Sequence, residues 1–427
     1  MYVLTARAQV CQAQMNATQD KNERLNILFI SDYPLGELLG GSVRVLYEQS
    51  THLAERGHKV HILTREEQFS EGYDKIENVL EWKYPINSHN LLFFLRSTLS
   101  NSRKTFEYLS EKYSFHIINF HQPFSAAGVI SSRASQGIPK VYTCHSLSFE
   151  EYISRSTHPR SPKELLLYWL QVRARRLTEQ ALLRRAGRIM VLSEYTREKL
   201  ERIYRTLASK VCVIPGGVDL ERFRPSTDKT RIRAHLGLPA KKFILFTVRN
   251  LVPRMGLENL ISAFKVVLSE HSDLLLVIGG KGPLGPSLKE QVEKLGMDNY
   301  VRFVGFIPEE ELPSYYQMAN LFILPTRELE GFGLVTVEAL ASGLPVLGTP
   351  VGGTREILAK LGSDYLFNGS TRESMATDIL KALNGWATDQ ASYKNISETC
   401  RKVAERYYSW DAHVRKLEDL YYSMIGN

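Results

Sequence analysis

Two glutamates, Glu330 and Glu338, bracket the run Glu330-Gly331-Phe332-Gly333-Leu334-Val335-Thr336-Val337-Glu338. A carboxylate accepts hydrogen bonds from hydroxyls, and placing one near a protein interior without such a partner is costly. The residues before it, Leu321-Phe322-Ile323-Leu324-Pro325, form an apolar run of strand length. Those after Gly333 have helical periodicity, with Glu338 on the first turns. Glu330 and the glycines therefore fall in a loop at the carboxyl end of a strand, where ligands bind in open α/β sheets. Glycine permits close backbone approach, and the start of the next helix favours an anion. The residue types suit an anionic ligand that also carries sugar hydroxyls; a loop acid plus a helix-capping acid with no ligand is the simpler reading of the same spacing.

Further candidates follow other strand-like runs. Val248-Arg249-Asn250-Leu251-Val252-Pro253-Arg254-Met255-Gly256 places two arginines after the run Phe243–Val248. Asn119-Phe120-His121-Gln122-Pro123 and Tyr142-Thr143-Cys144-His145-Ser146 each put a histidine just past a strand, and Gly40-Gly41-Ser42 puts bare amides near a helix start. Gly280-Lys281-Gly282-Pro283-Leu284-Gly285 fits the dinucleotide pattern, and Asp298 lies near the right distance. Pro283 and Pro286, however, put a turn where a phosphate-binding helix should already be running, and the preceding strand is not the first of its half. The segment reads as a tight turn.

Strand and helix patterns alternate along the chain, which predicts α/β architecture with parallel sheets. Strands are expected at Leu25–Ile30, Val60–Leu63, Phe115–Phe120, Val141–Thr143, Ile189–Leu192 and Val211–Ile214. A second series starts at Phe243–Val248 and continues at Leu274–Ile278, Val301–Val304, Leu321–Leu324 and Val346–Leu347. Two doubly wound Rossmann-like domains facing each other across a cleft are the expected fold. The predicted divisions are a polar extension over 1–24, an N-terminal domain over 25–218 and a C-terminal domain over 219–405. A closing helix over 406–427 is expected to pack back on the first domain.

Ser161-Pro162-Lys163-Glu164 combines an N-cap serine, proline at the first helical position and glutamate three after the cap, and so starts a helix that runs to Gly187. Leu166, Leu170, Ala174, Leu177 and Ala181 recur at helical spacing and are expected to face the sheet. The net charge is +8, and residues 151–210 alone hold 14 Lys or Arg against 6 Asp or Glu, so the remainder balances. The basic segment at 160–190 reads either as a solvated face or as a contact for an anionic membrane or polyanionic acceptor. Nothing resembles a base-reading module, so nucleic acid is not an expected partner. No apolar run approaches the ~18 residues of a membrane span; Leu91–Leu95, among the longest, ends at Arg96. The first 24 residues lack the apolar core of a secretory signal, and Cys11, Cys144, Cys212 and Cys400 show no paired spacing. A cytoplasmic protein, peripheral at the inner membrane face if the basic segment meets lipid, is the expectation.

The Glu-x7-Glu spacing with an internal Gly-Phe-Gly resembles the donor-site signature of retaining nucleotide-sugar glycosyltransferases of glycosyltransferase family 4 (group 1), which have the GT-B fold. The resemblance extends from residue 25 to about 424 as a set of motifs in order. Gly40-Gly41-Ser42 resembles the family's N-terminal glycine loop. His121 and His145 stand in its two histidine segments, the second lying beside sugar and phosphate in relatives. Pro215-Gly216-Gly217-Val218-Asp219 with Phe223 resembles its inter-domain segment, with Gly216 where Asn is usual. In the diphosphate segment Arg249 matches the family's arginine, but Met255 stands where lysine is usual. A thioether carries no charge to set against phosphate, so either Arg254 reaches it or Arg249 acts largely alone. Val304-Gly305-Phe306 resembles the segment along the nucleobase. Gly352-Gly353-Thr354 and Glu356 resemble a Gly-Gly-x-x-Glu motif that borders the site.

The resemblance thus implies a hexosyl or related transferase that moves a sugar from a nucleotide diphosphate-sugar to a hydroxyl acceptor (glycan, glycolipid or lipid-linked) with retention. Glu330, His145 and Arg249 would be catalytic. Gly40, Gly41, Arg249, Arg254, Gly305, Phe306, Glu330, Gly331, Phe332, Gly333, Leu334 and Glu338 would bind the donor, and His121 would lie on the acceptor side. No Asp-x-Asp occurs, which fits a mechanism with no metal and no cofactor beyond the donor. An epimerase or sugar phosphorylase on the same scaffold, or a non-catalytic sugar-nucleotide-binding protein, is the competing expectation.

Overall fold

Apolar runs too continuous for a half-solvated strand make up most of the two sheets in this computed structural model, which describes residues 23–36, 40–67, 72–155, 161–386 and 390–426. Most of the expected extension, and with it Cys11, lies outside the described residues. The chain divides into two units. The first comprises the residues up to Leu192, Arg197–Ile214 and Trp410 onward; the second comprises Ser193–Thr196 and Pro215–Ser409. The crossing at 214/215 has a local cause. Val218 N–H donates to Tyr408 O at 2.7 Å, and a Cβ on Gly216 would lie 2.7 Å from the Phe332 ring. Both contacts tie the Pro215–Val218 segment to the second unit.

The first unit is built on eight strands: β1 (Asn26–Ile30), β2 (Lys59–Glu66), β3 (Tyr73–Ile76), β4 (Val79–Pro85), β5 (Ile117–Phe120), β6 (Lys140–Cys144), β7 (Arg188–Val191) and β8 (Val211–Val213). Their order is β3-β4-β2-β1-β5-β6-β7-β8, and every pairing is parallel except that of β3 with β4. Parallel pairing requires crossovers. Apart from the β2-to-β4 connection, which carries β3, these are helical: α1 (Gly41–Glu55), α2 (Leu91–Lys112), α3 (Pro123–Ser131), α4 (Ser148–Arg155), α5 (Pro162–Arg185) and α6 (Glu194–Ile203). The β3–β4 hairpin was not among the expected strands. Its Glu81 is buried and accepts hydrogen bonds from Leu35 N–H at 2.9 Å and Thr64 Oγ1 at 3.0 Å.

The second unit has five parallel strands: β9 (Phe243–Val248), β10 (Leu274–Gly279), β11 (Val301–Gly305), β12 (Leu321–Leu324) and β13 (Val346–Gly348). Their order is β11-β10-β9-β12-β13. Its helices are α7 (Lys229–His235), α8 (Leu257–Glu270), α9 (Gly285–Lys294), α10 (Leu312–Met318), α11 (Leu334–Ala341), α12 (Gly352–Leu358), α13 (Arg372–Trp386) and α14 (Gln390–Tyr407). β10 and β12 are buried along their whole length, as strands covered on both faces must be. The last helix, α15 (Trp410–Ile425), belongs to the first unit. Its Glu418 Oε1 lies 2.7 Å from His58 Nε2 and its Oε2 2.7 Å from Arg56 Nη2, while Tyr421 OH accepts from Asn119 Nδ2 at 2.7 Å.

α5 corrects one expectation. It starts at the predicted cap, with Ser161 Oγ accepting from Glu164 N–H at 3.3 Å. The side it buries, however, carries Val172, Glu179, Leu182 and Leu183. Leu166, Leu170, Ala174 and Leu177, expected against the sheet, are exposed, and Ala181 is only partly covered. A helical stripe shows that two faces differ, and it does not show which one the sheet covers. Among the described residues, no helix is long and apolar enough to cross a membrane.

Candidate active site

In the second unit, β9 and β12 are neighbours, and the loops at their carboxyl ends deliver Arg249 and Glu330 to the same place. Arg249 Nη2 forms an ion pair with Glu330 Oε2, and both side chains are largely buried. Thr326 Oγ1, two residues past the end of β12, reaches the same carboxylate oxygen at 3.4 Å. The guanidinium is held from its other side by Met255: Nη2 lies 2.9 Å and Nε 3.3 Å from Sδ. The residue that stands in place of lysine therefore supports the arginine.

The loop that carries Glu330 is strained and braced. Leu329 has φ +56°, left-handed backbone that costs a leucine of order 1–3 kcal/mol. Arg254 Nη1 donates to Leu329 O at 3.0 Å, so this side chain fixes the loop. Gly353 N–H donates to Glu330 O at 3.1 Å. A Cβ on Gly352 (φ +62°) would sit 1.9 Å from that oxygen. The Gly352-Gly353 pair is thus needed for the start of α12 to close on residues 330–332. Glu356 Oε2 accepts from Glu194 N–H at 2.9 Å, and its other oxygen accepts from Tyr195 N–H.

Gly333, at φ +96°, caps α11, with Leu334 as the first helical residue. Phe332 is buried edge-on against Tyr408, centroids 5.8 Å apart. Its ring occupies the space where an asparagine at 216 would need its Cβ, which accounts for glycine there. Glu338 is buried on α11, and its Oε2 accepts from Tyr316 OH at 2.8 Å. Gly305 ends β11 at φ +74°; Phe306 beside it is half exposed, with Lys281 Nζ 5.7 Å from its ring centroid.

The glycines of the dinucleotide-like run have a packing role. A Cβ on Gly280 would lie 1.8 Å from Arg249 O, and one on Gly282 would lie 2.4 Å from Leu251 O. Leu251 N–H donates to Lys281 O at 2.9 Å. The run presses the arginine loop into position. A helix does follow, but it begins only at Gly285, with Pro286 in its first turn, where the missing N–H is tolerated.

In the first unit, His121 and His145 follow β5 and β6. His145 Nε2 lies 3.0 Å from His121 Nδ1. His121 is buried, while His145 keeps part of its surface open. Burial, with some repulsion from His413, lowers the His145 pKa to about 4. Burial, then His145 and His413, pushes His121 well below the ordinary value. Gly40, at φ +119°, caps α1, and Gly41 is its first residue; both are exposed.

Of the residues singled out from the sequence, the structure brings Arg249 to Glu330 and His121 to His145, and it sets Glu338 against Tyr316. Sequence reasoning missed Thr326, Tyr316 and the part played by Met255. Only Thr326, at the end of a strand-like run, carried any signal.

Two family models match the chain: Glycosyltransferase Family 4 over residues 39–222 and Glycosyl transferases group 1 over residues 228–403. D-inositol 3-phosphate glycosyltransferase of Corynebacterium glutamicum (strain R) is 28% identical over 413 residues, which is 91% of this chain and 93% of the relative. Sucrose-phosphate synthase from Thermosynechococcus elongatus superposes with a TM-score of 0.78 at 23% identity, covering 94% of this chain and 100% of that one. Anabaena HepE, solved in complex with UDP and glucose, gives 0.70 at 19% identity over 94% of this chain and 100% of that one. With these models, relatives and folds in agreement, the chain belongs to the glycosyltransferases of family 4 (group 1), and it has their GT-B fold.

Proposed function

We propose that this glycosyltransferase moves a sugar from a nucleoside diphosphate donor to a hydroxyl acceptor with retention of anomeric configuration. The observation that carries the reading is the buried Arg249–Glu330 pair at the carboxyl end of the second unit's sheet. An arginine there is suited to the diphosphate, and the adjoining carboxylate to sugar hydroxyls. The N-terminus of α11, opened by Gly331 and Gly333, adds backbone N–H groups for the anion. Glu338 accepts from the ribose hydroxyls, and Gly305 and Phe306 lie along the base. The complex of HepE with UDP and glucose supports a donor of this class.

In the proposed step the bond from the anomeric carbon to the diphosphate oxygen breaks and the acceptor oxygen bonds to that carbon from the same face. The acceptor's proton passes to the departing phosphate oxygen. Arg249 stabilises the charge that grows on the leaving group, a contribution that typically costs 10²–10³-fold in rate when removed. The reading calls for no metal and no cofactor beyond the donor.

The test is donor-dependent release of nucleoside diphosphate, after a thermal-shift screen of uridine, guanosine and adenosine diphosphate sugars has identified the base. Glu330→Gln should lower turnover about 10²–10³-fold and leave nucleotide binding in place; undiminished release would overturn the assignment. Proton NMR of the product reads the anomeric configuration. Product formation only with inorganic phosphate would make the protein a phosphorylase instead.

A further inference from the structure

The helix that misdirects its apolar stripe leaves a large surface uncovered. Leu166 on α5 is 61% exposed, Trp169 59% and Leu170 55%, with Leu165, Leu167 and Leu177 similarly open. The first turn of α2 adds Leu91, Leu92 and Phe93, of which Leu92 is 79% exposed. Packing brings the two groups to one end of the first unit. α3 begins just past the carboxyl end of β5, and its Phe124 is contacted both by Phe94 of α2, centroids 6.0 Å apart, and by the Arg175 guanidinium of α5 at 5.1 Å. α5 runs back from the carboxyl end of β6 toward the start of β7, so its first turns project beyond Arg175 on the side where His145 sits. At 1.5 Å per residue, Leu166–Leu170 lie roughly 8–14 Å past that arginine.

Large apolar side chains this exposed, gathered at one end of a unit, are rare on a protein that meets only water. Exposed Lys163 and Arg173 stand among these leucines on α5 and exposed Arg96 follows them on α2, with Arg184 and Arg185 carrying the positive charge on along α5, and Glu164 is the one exposed acid on α5. A symmetric contact with a second copy would set these cations against themselves, since a two-fold interface is self-complementary. Leucines and a tryptophan mixed with arginines match the interface of a negatively charged bilayer, where apolar groups enter the acyl boundary and cations meet headgroups.

We infer that the uncovered face of α5 and the first turn of α2 form a docking surface for an anionic lipid bilayer, with Leu92, Leu166, Trp169 and Leu170 entering it. This goes beyond contact through basic residues alone, and it does not depend on the donor chemistry. The experiment is flotation of the full chain with phosphatidylglycerol–phosphatidylcholine vesicles and with phosphatidylcholine vesicles, at low and high salt. Two variants accompany it, L166S/W169S/L170S and K163E/R173E, all at exposed positions. Both should keep the wild-type circular dichroism and vesicle-free donor turnover. The wild type should float with the anionic vesicles and in part survive high salt, and Trp169 emission should shift to the blue, a shift absent from W169F. The serine variant should lose the salt-resistant fraction. The glutamate variant should bind anionic vesicles at least about tenfold more weakly, given roughly 1 kcal/mol per basic residue. Failure of the wild type to float, or flotation of the serine variant at the wild-type level, overturns the inference. So does a wild-type dimer that the serine variant dissociates while neither protein floats.

Discussion

Met255 Sδ stands 2.9 Å from Arg249 Nη2 and 3.3 Å from its Nε, so the position expected to carry a second cation instead accepts from the first. A lysine at 255 would place an ammonium beside the guanidinium in a buried spot, where like charges repel strongly unless an anion joins them. Met255→Lys is therefore expected to lower the ligand-free melting temperature and to enlarge the rise that nucleoside diphosphate produces. Met255→Leu conserves volume, should cost less than about 1.5 kcal/mol, and should leave the ligand-induced rise as in the wild type. Equal rises in the two variants would show that position 255 does not face the diphosphate.

The contact between His121 Nδ1 and His145 Nε2 needs one proton, and its location decides what His145 presents. His121 Nε2 is buried without a hydrogen-bond partner among the described residues. An orphaned buried N–H is rarer than an under-satisfied acceptor, so His121 should carry its proton on Nδ1 and donate it. His145 is then the Nδ1–H tautomer and offers a donor from that nitrogen. Nitrogen-15 NMR of the ring-labelled protein should show that tautomer in the wild type and in His121→Asn, whose amide can donate. It should show a mixture in His121→Phe, with kcat falling more than KM rises. A His145 that stays Nδ1-protonated in His121→Phe would end this account.

The strand at Leu321–Leu324 has in the structure the limits the sequence suggests, and the closing helix expected over 406–427 spans Trp410–Ile425, because a short wholly apolar run and a long amphipathic one are each decided locally. β4 was not legible because its buried Glu81 is satisfied by Leu35 and Thr64, partners distant in sequence. The covered face of α5 was not legible either. Glu179, which looks like a surface residue, is buried there because Tyr142 and Ser148 meet it. At the site, Glu330 and Arg249 stood out by type and position. Their ion pair, the Met255 support and the Arg254 brace on Leu329 depend on how two loops meet, which residue spacing does not encode.

Glu179 makes stability depend on pH in a direction that can be worked out. Its Oε1 accepts from Ser148 N–H at 3.1 Å and Tyr142 OH at 3.3 Å. Burial above all, and then Glu150 and Glu151, push its pKa up to about 8. Between the unfolded value near 4.5 and about 8 the native state holds the extra proton. Stability attributable to Glu179 is therefore full below 4.5 and declines as pH rises through the window. His145, lowered to about 4, has the opposite slope, losing stability as pH falls from about 6.5. Glu179→Gln keeps the acceptor and cannot ionise, so comparing it with wild type isolates the glutamate. The variant should gain on wild type by up to about 1.4 kcal/mol per pH unit across the window, read as a widening gap in melting temperature. A constant gap from pH 5 to 8 would mean Glu179 ionises normally.

Glu338 and Tyr316 supply the last test, of the ribose assignment. Tyr316 is fully buried and donates to Glu338 Oε2 at 2.8 Å, which fixes one oxygen and orients the carboxylate as a whole. If Glu338 accepts from ribose hydroxyls, the wild type should bind a nucleoside diphosphate about tenfold or more better than its 2′,3′-dideoxy analogue, since a hydrogen bond to a charged group contributes about 1.5–3 kcal/mol. Glu338→Ala should erase that preference while leaving the dideoxy affinity near its wild-type value. Tyr316→Phe should narrow it, because the carboxylate loses its anchor but keeps its charge. Titration calorimetry with the two nucleotides measures all three. Equal losses for both nucleotides in Glu338→Ala would assign this acid to holding α11 and α10 together instead of to the ligand.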